Sequence, residues 1–428
     1  MFLKKGASNM RILHTSDWHL GKTLEQYSRL EEQEEFLEEF IEIVKNNNID
    51  LVLIAGDIYD NGNPPAKAEK MFYSTLKEIT SGGKTAVLVV AGNHDNPERL
   101  VAASPLAYEH GVILLGEPKS IARQGVFGEF NTDHRYDFEI IESGEGYLEL
   151  SIRGEKVVVI TLPYPSEKRL NEVLSTELND EDRQKSYSDR IGELFEKLST
   201  KYRDDTVNLA VSHLYVMGGE ESGSERSIQL GGSLSVSPSK FPEKVQYCAL
   251  GHLHRPQKVP GTKGKIRYSG SPIQYSKSEI NYSKGAYIVD VIAGGDAEIT
   301  DIKFRNYKPI EVWKCDSVEE ALEKCKLEGE KNIWVYLEIK TKEIISTENI
   351  KEMKRLRVDI VSIQPIIEDI ENANDLKESL REKSMEEMFK EYFTRAKGGL
   401  EPTEELMELF LSIALDEEGE LKNETSKS

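Results

Sequence analysis

The sequence predicts an α/β fold in which helices are layered on a sheet, and two observations carry that expectation. Five short apolar segments, residues 11–16, 51–55, 85–91, 207–212 and 245–250, each run directly into a polar cluster. Between the first two lie Phe36, Leu37, Phe40, Ile41 and Val44 at helical spacing, closed by Asn46-Asn47-Asn48. Strand, helix, strand at this interval predicts right-handed crossovers between strands of one sheet. Runs such as Leu51-Val52-Leu53-Ile54 lack polar alternation, as strands buried on both faces do.

The remaining elements follow in chain order. Residues 118–155 alternate weakly and are rich in glycine, which predicts β-hairpins. Residues 171–201 are highly charged and read as helix, and the Gly- and Ser-rich stretch 218–238 as a loop. Near Tyr307 the character changes: strands are expected at 310–313, 333–339 and 358–370, with helices at 318–325 and 348–356 between them. That is a small βαβαβ unit. After a charged linker, Ser384-Met385-Glu386-Glu387 reads as a capping box opening a helix with Met385, Met388, Phe389, Tyr392 and Phe393 on its apolar face. Gly398-Gly399 closes that helix, and Pro402-Thr403 opens a second through Leu406, Leu409, Phe410, Ile413 and Ala414. The expected domains are 10–305, 306–370 and a helical pair at 384–416, followed by a polar tail.

With 428 residues, 38% of them hydrophobic, the chain can bury a substantial core. No apolar run approaches the roughly 20 residues a membrane span needs, and Lys4-Lys5 is not followed by the apolar stretch of a secretory leader. Cys248, Cys315 and Cys325 lie far apart with no CxxC spacing, so buried thiols in a reducing cytoplasm are expected rather than a disulfide frame or zinc site. The net charge of −21 runs against the basic excess usual in a chain that binds nucleic acid unaided. Much of that acid is local: residues 371–428 hold 16 acidic against 8 basic side chains, and residues 31–42 contain seven glutamates. Such runs are ordinary solvated helix faces.

The chemistry sits where the apolar segments end. The first ends in Asp17-Trp18-His19, the second in Gly56-Asp57-Ile58-Tyr59-Asp60, the third in Gly92-Asn93-His94-Asp95. The fourth ends in Ser212-His213 and the fifth in Gly251-His252-Leu253-His254. Ligands of open α/β sheets gather beyond the carboxyl ends of the strands, so all five clusters can meet in one pocket. Carboxylate, imidazole and amide oxygen suit manganese, iron or zinc, and no thiolate is present to close a structural zinc site. In DxH and HxH the two side chains of an extended segment point the same way and can grip one ion. The glycines before Asp57, Asn93 and His252 are expected to let the backbone turn sharply. Taken singly, each cluster reads equally well as a turn, an N-cap or surface histidines; five in succession do not. His14, inside the first strand, is expected to be a core residue or to support the site from behind. His110 and His134 are expected at the surface.

The ordered set DxH, GDxxD, GNHD, SH and GHxH resembles the calcineurin-like metallophosphoesterases, and within them the SbcD-type nuclease subunits of bacterial SbcCD complexes. The longer strings that carry the closer likeness run from Ile12 to Lys22, Ile54 to Asp60, Ala91 to Leu100, Gly218 to Ser222, Ala249 to Gln257 and Tyr268 to Pro272. They cover residues 10 to about 300, and the later regions agree in layout. The resemblance implies an α-β-β-α sandwich followed by a small α/β capping domain and a C-terminal helical pair. It also implies two divalent metal ions, manganese in the working enzyme with Mg2+, Fe2+ or Zn2+ as alternatives. Asp17, His19, Asp57 and His254 would hold one ion, and Asp57, Asn93, His213 and His252 the other. His94 would act on the phosphate as a catalytic residue without binding metal, with Asp95 orienting its ring.

By the same resemblance the chain would be a DNA exonuclease and endonuclease, a homodimer whose C-terminal helices dock on an SbcC-like coiled-coil ATPase. One departure stands out: archaeal relatives carry a histidine where this chain has Asp60, so a DNA-positioning role for that histidine does not transfer. Two other readings compete. One is a standalone phosphomonoesterase or nucleotide phosphodiesterase, and the other a scaffold without activity, which the filled ligand positions argue against.

Overall fold

The computed structural model describes residues 9–80, 82–128, 136–172, 180–225, 234–341 and 345–367, together with 389, 390, 393, 402, 403, 406, 407 and 410. Its contacts divide the chain into two units. The first comprises Met1–Trp313, Glu330–Leu337 and Arg357–Ser362, and the second Lys314–Gly329, Glu338–Leu356 and Ile363–Ser428.

The first unit is built on two sheets. In the six-stranded one, Met10–Thr15 pairs in parallel with Leu51–Ala55, which continues in parallel through Ala86–Val90 to Val112–Leu115. On the other side of Met10–Thr15 run the antiparallel strands Gly285–Val291 and Glu298–Lys303. The eight-stranded sheet is ordered Gln257–Lys258, Ile266–Tyr268, Tyr247–Gly251, Val207–His213, Glu155–Leu162, Tyr147–Ile152, Phe138–Gly144 and Gly125–Val126. The five segments expected as strands are all strands, but three belong to one sheet and two to the other.

Period-two alternation explains why those runs are apolar throughout. Leu51, Leu53, Ala55, Leu88 and Val90 face the second sheet, where they meet Val157, Val159, Leu209, Val211 and Ala249. Val52, Ile54, Val87 and Val89 face the other way, onto Phe36, Phe40, Phe72 and Leu76 of the helices Leu30–Asn46 and Ala66–Thr80. Behind the second sheet, Val158, Ile160 and Ala210 pack on Tyr187, Ile191 and Phe195 of the helix Asp180–Ser199. The layers are therefore helix, sheet, sheet, helix, the sandwich the resemblance implied. The first helix stops where the asparagines begin: its last residue is Asn46, Asn47 caps it, and Asn48 takes a φ of +50°.

His14 is fully buried between the sheets, its Nδ1 2.7 Å from the Tyr247 hydroxyl and its Nε2 3.1 Å from the Leu250 carbonyl. Burial holds its pKa down at about 3. It is a core residue. His110 is exposed as expected, whereas His134 lies outside the described residues.

The strands Ile310–Cys315, Trp334–Thr341 and Ile360–Ile367 form a three-stranded sheet in that order, with Val318–Leu327 and Thr347–Leu356 as the intervening helices. The opening residues of these strands fall in the first unit, where Ile310, Trp334, Tyr336 and Val361 form a small core with Leu24. Most of the helical pair expected at 384–416 lies outside the described residues. Among those described, residues 389, 390, 393, 406, 407 and 410 are helical, and the rings of Phe389 and Phe410 stack at 4.0 Å. Among the described residues no helix is long and apolar enough to cross a membrane.

Candidate metal centre

The loops after the strands are zipped together by their backbones. Asp17 N–H donates to the Gly56 carbonyl at 3.0 Å, His19 N–H to that of Asp57 at 3.0 Å, and Leu20 N–H to that of Ile58 at 2.9 Å. Four side chains singled out from sequence sit here on left-handed backbone: Asp17 (φ +55°), His19 (+44°), Asp57 (+50°) and His252 (+108°). Such conformations are uncommon for residues other than glycine and persist only where the surroundings enforce them.

The glycines contribute in two ways. Gly56 is a true turn, at φ +88°. Gly92 and Gly251 instead permit close approach: a Cβ on Gly92 would lie 2.1 Å from Asp57 Oδ1, and one on Gly251 1.8 Å from the Ala55 carbonyl oxygen. The sharp turn expected at all three is thus found at one.

All seven residues expected as ligands converge on this pocket. His19 Nε2 faces His254 Nε2 at 3.0 Å and lies 3.6 Å from Asp57 Oδ2. His213 Nε2 is 2.8 Å from Asn93 Oδ1 and 3.4 Å from Asp57 Oδ2, and His252 Nδ1 is 3.2 Å from Asn93 Oδ1. Asp17 joins from the other side, its carboxylate accepting the His252 N–H at 2.9 Å and the Ser16 hydroxyl at 2.5 Å. Asp17, His19 and His254 offer ligand atoms within 4.8 Å of one another, as do Asp17, Asp57 and His213, and His19, Asp57 and His94.

This donor set fits divalent cations. Burial holds the His19 and His252 rings well below the usual imidazole range, hence neutral and able to donate a lone pair. Burial also pushes the Asp17 carboxyl up to about 6. It would do the same to Asp57, but the imidazoles of His213, His19 and His94 outweigh it and hold that group well below the carboxylate range. Against the desolvation that would lower it, Asp57 and Asp17 raise His213 to about 9. Two buried carboxylates thus demand positive charge at this spot, and a dication supplies it. The His213 Nδ1–H donates to the Ala55 carbonyl at 2.9 Å, which directs Nε2 into the pocket.

His94 is half-buried beside this set, its Nε2 4.0 Å from Asp57 Oδ2. Its Nδ1–H donates to the Asp60 carbonyl at 2.6 Å. The expectation that Asp95 orients this ring is corrected here. The Asp95 carboxylate is buried and already accepts three backbone N–H groups, from Gly92 (2.8 Å), Tyr59 (3.0 Å) and Ile58 (3.2 Å). Asp95 staples the second and third loops together instead. Asp60, treated from sequence only as a departure, holds His94 through its carbonyl, while its carboxylate accepts Lys22 at 2.8 Å and lies 3.7 Å from His19 Nδ1.

Sequence reading missed Arg169, whose guanidinium donates to the Gly92 carbonyl at 2.8 Å and the Asp95 carbonyl at 2.7 Å, gripping the loop that presents Asn93 and His94. It also missed Gln33, which donates to the His19 carbonyl at 2.9 Å. Both sit among charged neighbours on helices, in stretches that read as solvated faces with no spacing to mark them.

The calcineurin-like phosphoesterase family model matches residues 10–256, and the Type 5 capsule protein repressor C-terminal domain model matches residues 306–397. Among curated proteins, the SbcD subunit of the SbcCD nuclease of Bacillus subtilis is 39% identical over 95% of this chain and 98% of its own length. That of Rhodobacter capsulatus is 33% identical over 67% of this chain and 68% of its own, and that of Staphylococcus epidermidis 27% identical over 84% and 86%. Likeness of this extent, with a phosphoesterase match over residues 10–256 that includes all five strand-end clusters, makes the chain a member of the calcineurin-like phosphoesterases and, within them, of the SbcD nuclease family.

Proposed function

We propose that this chain is a metal-dependent DNA nuclease. It acts 3′ to 5′ on double-strand ends and endonucleolytically on single strands and hairpins, with an SbcC-like ATPase, in end processing, recombination and repair. The observation that carries the reading is the convergence of seven oxygen and nitrogen donors on one buried pocket, in a chain alignable along nearly its whole length with an SbcD nuclease.

In this reading Asp17, His19, Asp57 and His254 hold one cation, Asp57, Asn93, His213 and His252 the other, and manganese is the working metal. Such a pair of cations lowers the pKa of water and neutralises charge on the phosphoryl oxygens. The chain's own contribution is to orient donors and to move a proton. The His94 Nδ1–H is committed to the Asp60 carbonyl, so the transferable proton of the imidazolium sits on Nε2, which faces the pocket. From there it passes to the departing 3′ oxygen, the role of a general acid.

The proposed organisation is a phosphoesterase domain over 10–305, a capping domain over 306–370 that places the duplex, and helices over 384–416 that dock on the ATPase. The protein is taken to be cytoplasmic and dimeric. An apolar groove supports the dimer: Leu76, Ala107 and Val112 line it beside Leu106, which is 74% exposed.

Linear and hairpin duplex DNA, bis(p-nitrophenyl) phosphate and p-nitrophenyl phosphate, each with Mn2+, test the assignment. DNA is expected to be cleaved in preference to both small esters. Faster turnover of the monoester, with intact DNA, would overturn it.

A further inference from the structure

His254 is the most heavily supported histidine of the centre, and the groups supporting it belong to no motif. Its backbone N–H donates to Glu225 Oε1 at 2.9 Å, and its carbonyl accepts Lys284 Nζ at 2.9 Å. Its Nδ1 lies 2.6 Å from Ser224 Oγ and 3.5 Å from Glu279 Oε1. Ser224 in turn hydrogen-bonds Glu279, whose other oxygen is paired with Lys284. Glu279 is wholly buried, and Lys284 is 6% exposed.

The direction of these bonds is fixed by chemistry. A carboxylate paired with an ammonium only accepts, so the single Ser224 hydroxyl proton goes to Glu279. The Ser224 oxygen must then accept from His254 Nδ1–H. That assigns the tautomer: the lone pair of His254 is on Nε2, the atom 3.0 Å from His19 Nε2. Ser224 is delivered by a tight turn in which the Glu225 carboxylate gathers the N–H groups of Ser222, Gly223 and Ser224 at 2.8–3.1 Å. The turn lies at the end of the Gly218–Ser222 string, whose role the sequence left open.

We propose that Ser224 and Glu279 are positioning residues for one half of the metal centre: a Lys284–Glu279–Ser224–His254 relay that locks His254 in its metal-binding tautomer and orientation. The proposal rests on the reading of His254 as a ligand. Groups that orient a metal-binding histidine from behind typically change metal affinity by about 10- to 100-fold when removed.

The test is Mn2+ binding to the full-length protein, followed by calorimetry and by the EPR signal of free Mn2+, for wild type, Ser224→Ala, Ser224→Thr, Glu279→Gln and His254→Ala. Glu279→Gln/Lys284→Met accompanies them, to avoid leaving a buried ammonium uncompensated. Ser224→Ala and the Glu279 variants are expected to weaken one of two Mn2+ sites by about 10- to 100-fold and spare the other. Ser224→Thr, which keeps the hydroxyl, is expected to recover most of that loss. If His254→Ala loses a site while Ser224→Ala and both Glu279 variants titrate like wild type, the relay is wrong and the ligand assignment stands. If His254→Ala still binds two ions with wild-type affinity, the ligand assignment fails and takes the relay with it. Equal weakening of both sites, with a lowered unfolding temperature and no recovery by threonine, would make the network merely structural and overturn the proposal.

Discussion

Asp57 touches more of the centre than any other side chain. Its Oδ2 lies within 4.0 Å of the Nε2 atoms of His19, His94 and His213, and its Oδ1 accepts the His94 N–H at 2.9 Å. Asparagine tolerates left-handed backbone well, so Asp57→Asn changes the charge and spares the φ of +50°. That variant is expected to fold, by circular dichroism, and to lose both metals, by elemental analysis. His94→Gln is expected to keep both metals and lose about 10²- to 10⁴-fold in turnover; full activity at normal metal content would remove its catalytic role. The candidate ligands were legible because aspartate, asparagine and histidine recur at the ends of apolar runs, a pattern solvated turns do not sustain five times. Ser224, Glu279 and Arg169 were not legible, because each is a single polar residue whose partner is remote in sequence: 30, 55 and 77 positions separate the bonded pairs Ser224–His254, Ser224–Glu279 and Arg169–Gly92.

At the level of elements, apolar periodicity revealed the strands but not their sheet. A fully buried strand reads the same in either, and only the pairing of Val207–His213 with Glu155–Leu162 and Tyr247–Gly251 separates the two. A further inter-element contact left no sequence trace. The helix Leu30–Asn46 begins beside a buried ion pair, in which Arg29 donates to Glu32 at 2.5 and 2.6 Å and to the Gln274 carbonyl at 2.7 Å. Trp334 Nε1–H, from the strand Trp334–Thr341, completes it by donating to Glu32 at 2.8 Å. Trp334→Phe keeps most of the apolar contact and removes that donor. It is expected to destabilise the protein by about 1–3 kcal/mol, measured by urea unfolding at unchanged m-value. A variant as stable as wild type would show that water replaces the indole without penalty.

For the molecule as a whole, the −21 charge means that the protein's own field opposes a polyanion. In the proposed reading, divalent cations in the pocket and a partner would offset that repulsion. In the proposed dimer, the exposed Leu106 is where two copies would meet. On that proposal, Leu106→Glu is expected to convert a dimer to a monomer in light scattering while leaving Mn2+ stoichiometry unchanged; a wild-type protein that is already a monomer would overturn the proposed dimer, and a dimer persisting in the variant would place its interface elsewhere.

The donors of the centre come from both sheets of the sandwich: Asp17, Asp57 and Asn93 follow strands of one, while His213 closes and His252 follows strands of the other. Ions seated there would act as rivets through the joint, linking their occupancy thermodynamically to cohesion of the two sheets. At a hundred times the dissociation constant, binding adds about 2.7 kcal/mol to the native state. The melting temperature is accordingly expected to climb with Mn2+ and to fall back with EDTA. Shaving a buried methyl at Leu53, which faces the second sheet and offers no donor atom, should loosen a bound cation as well as the fold.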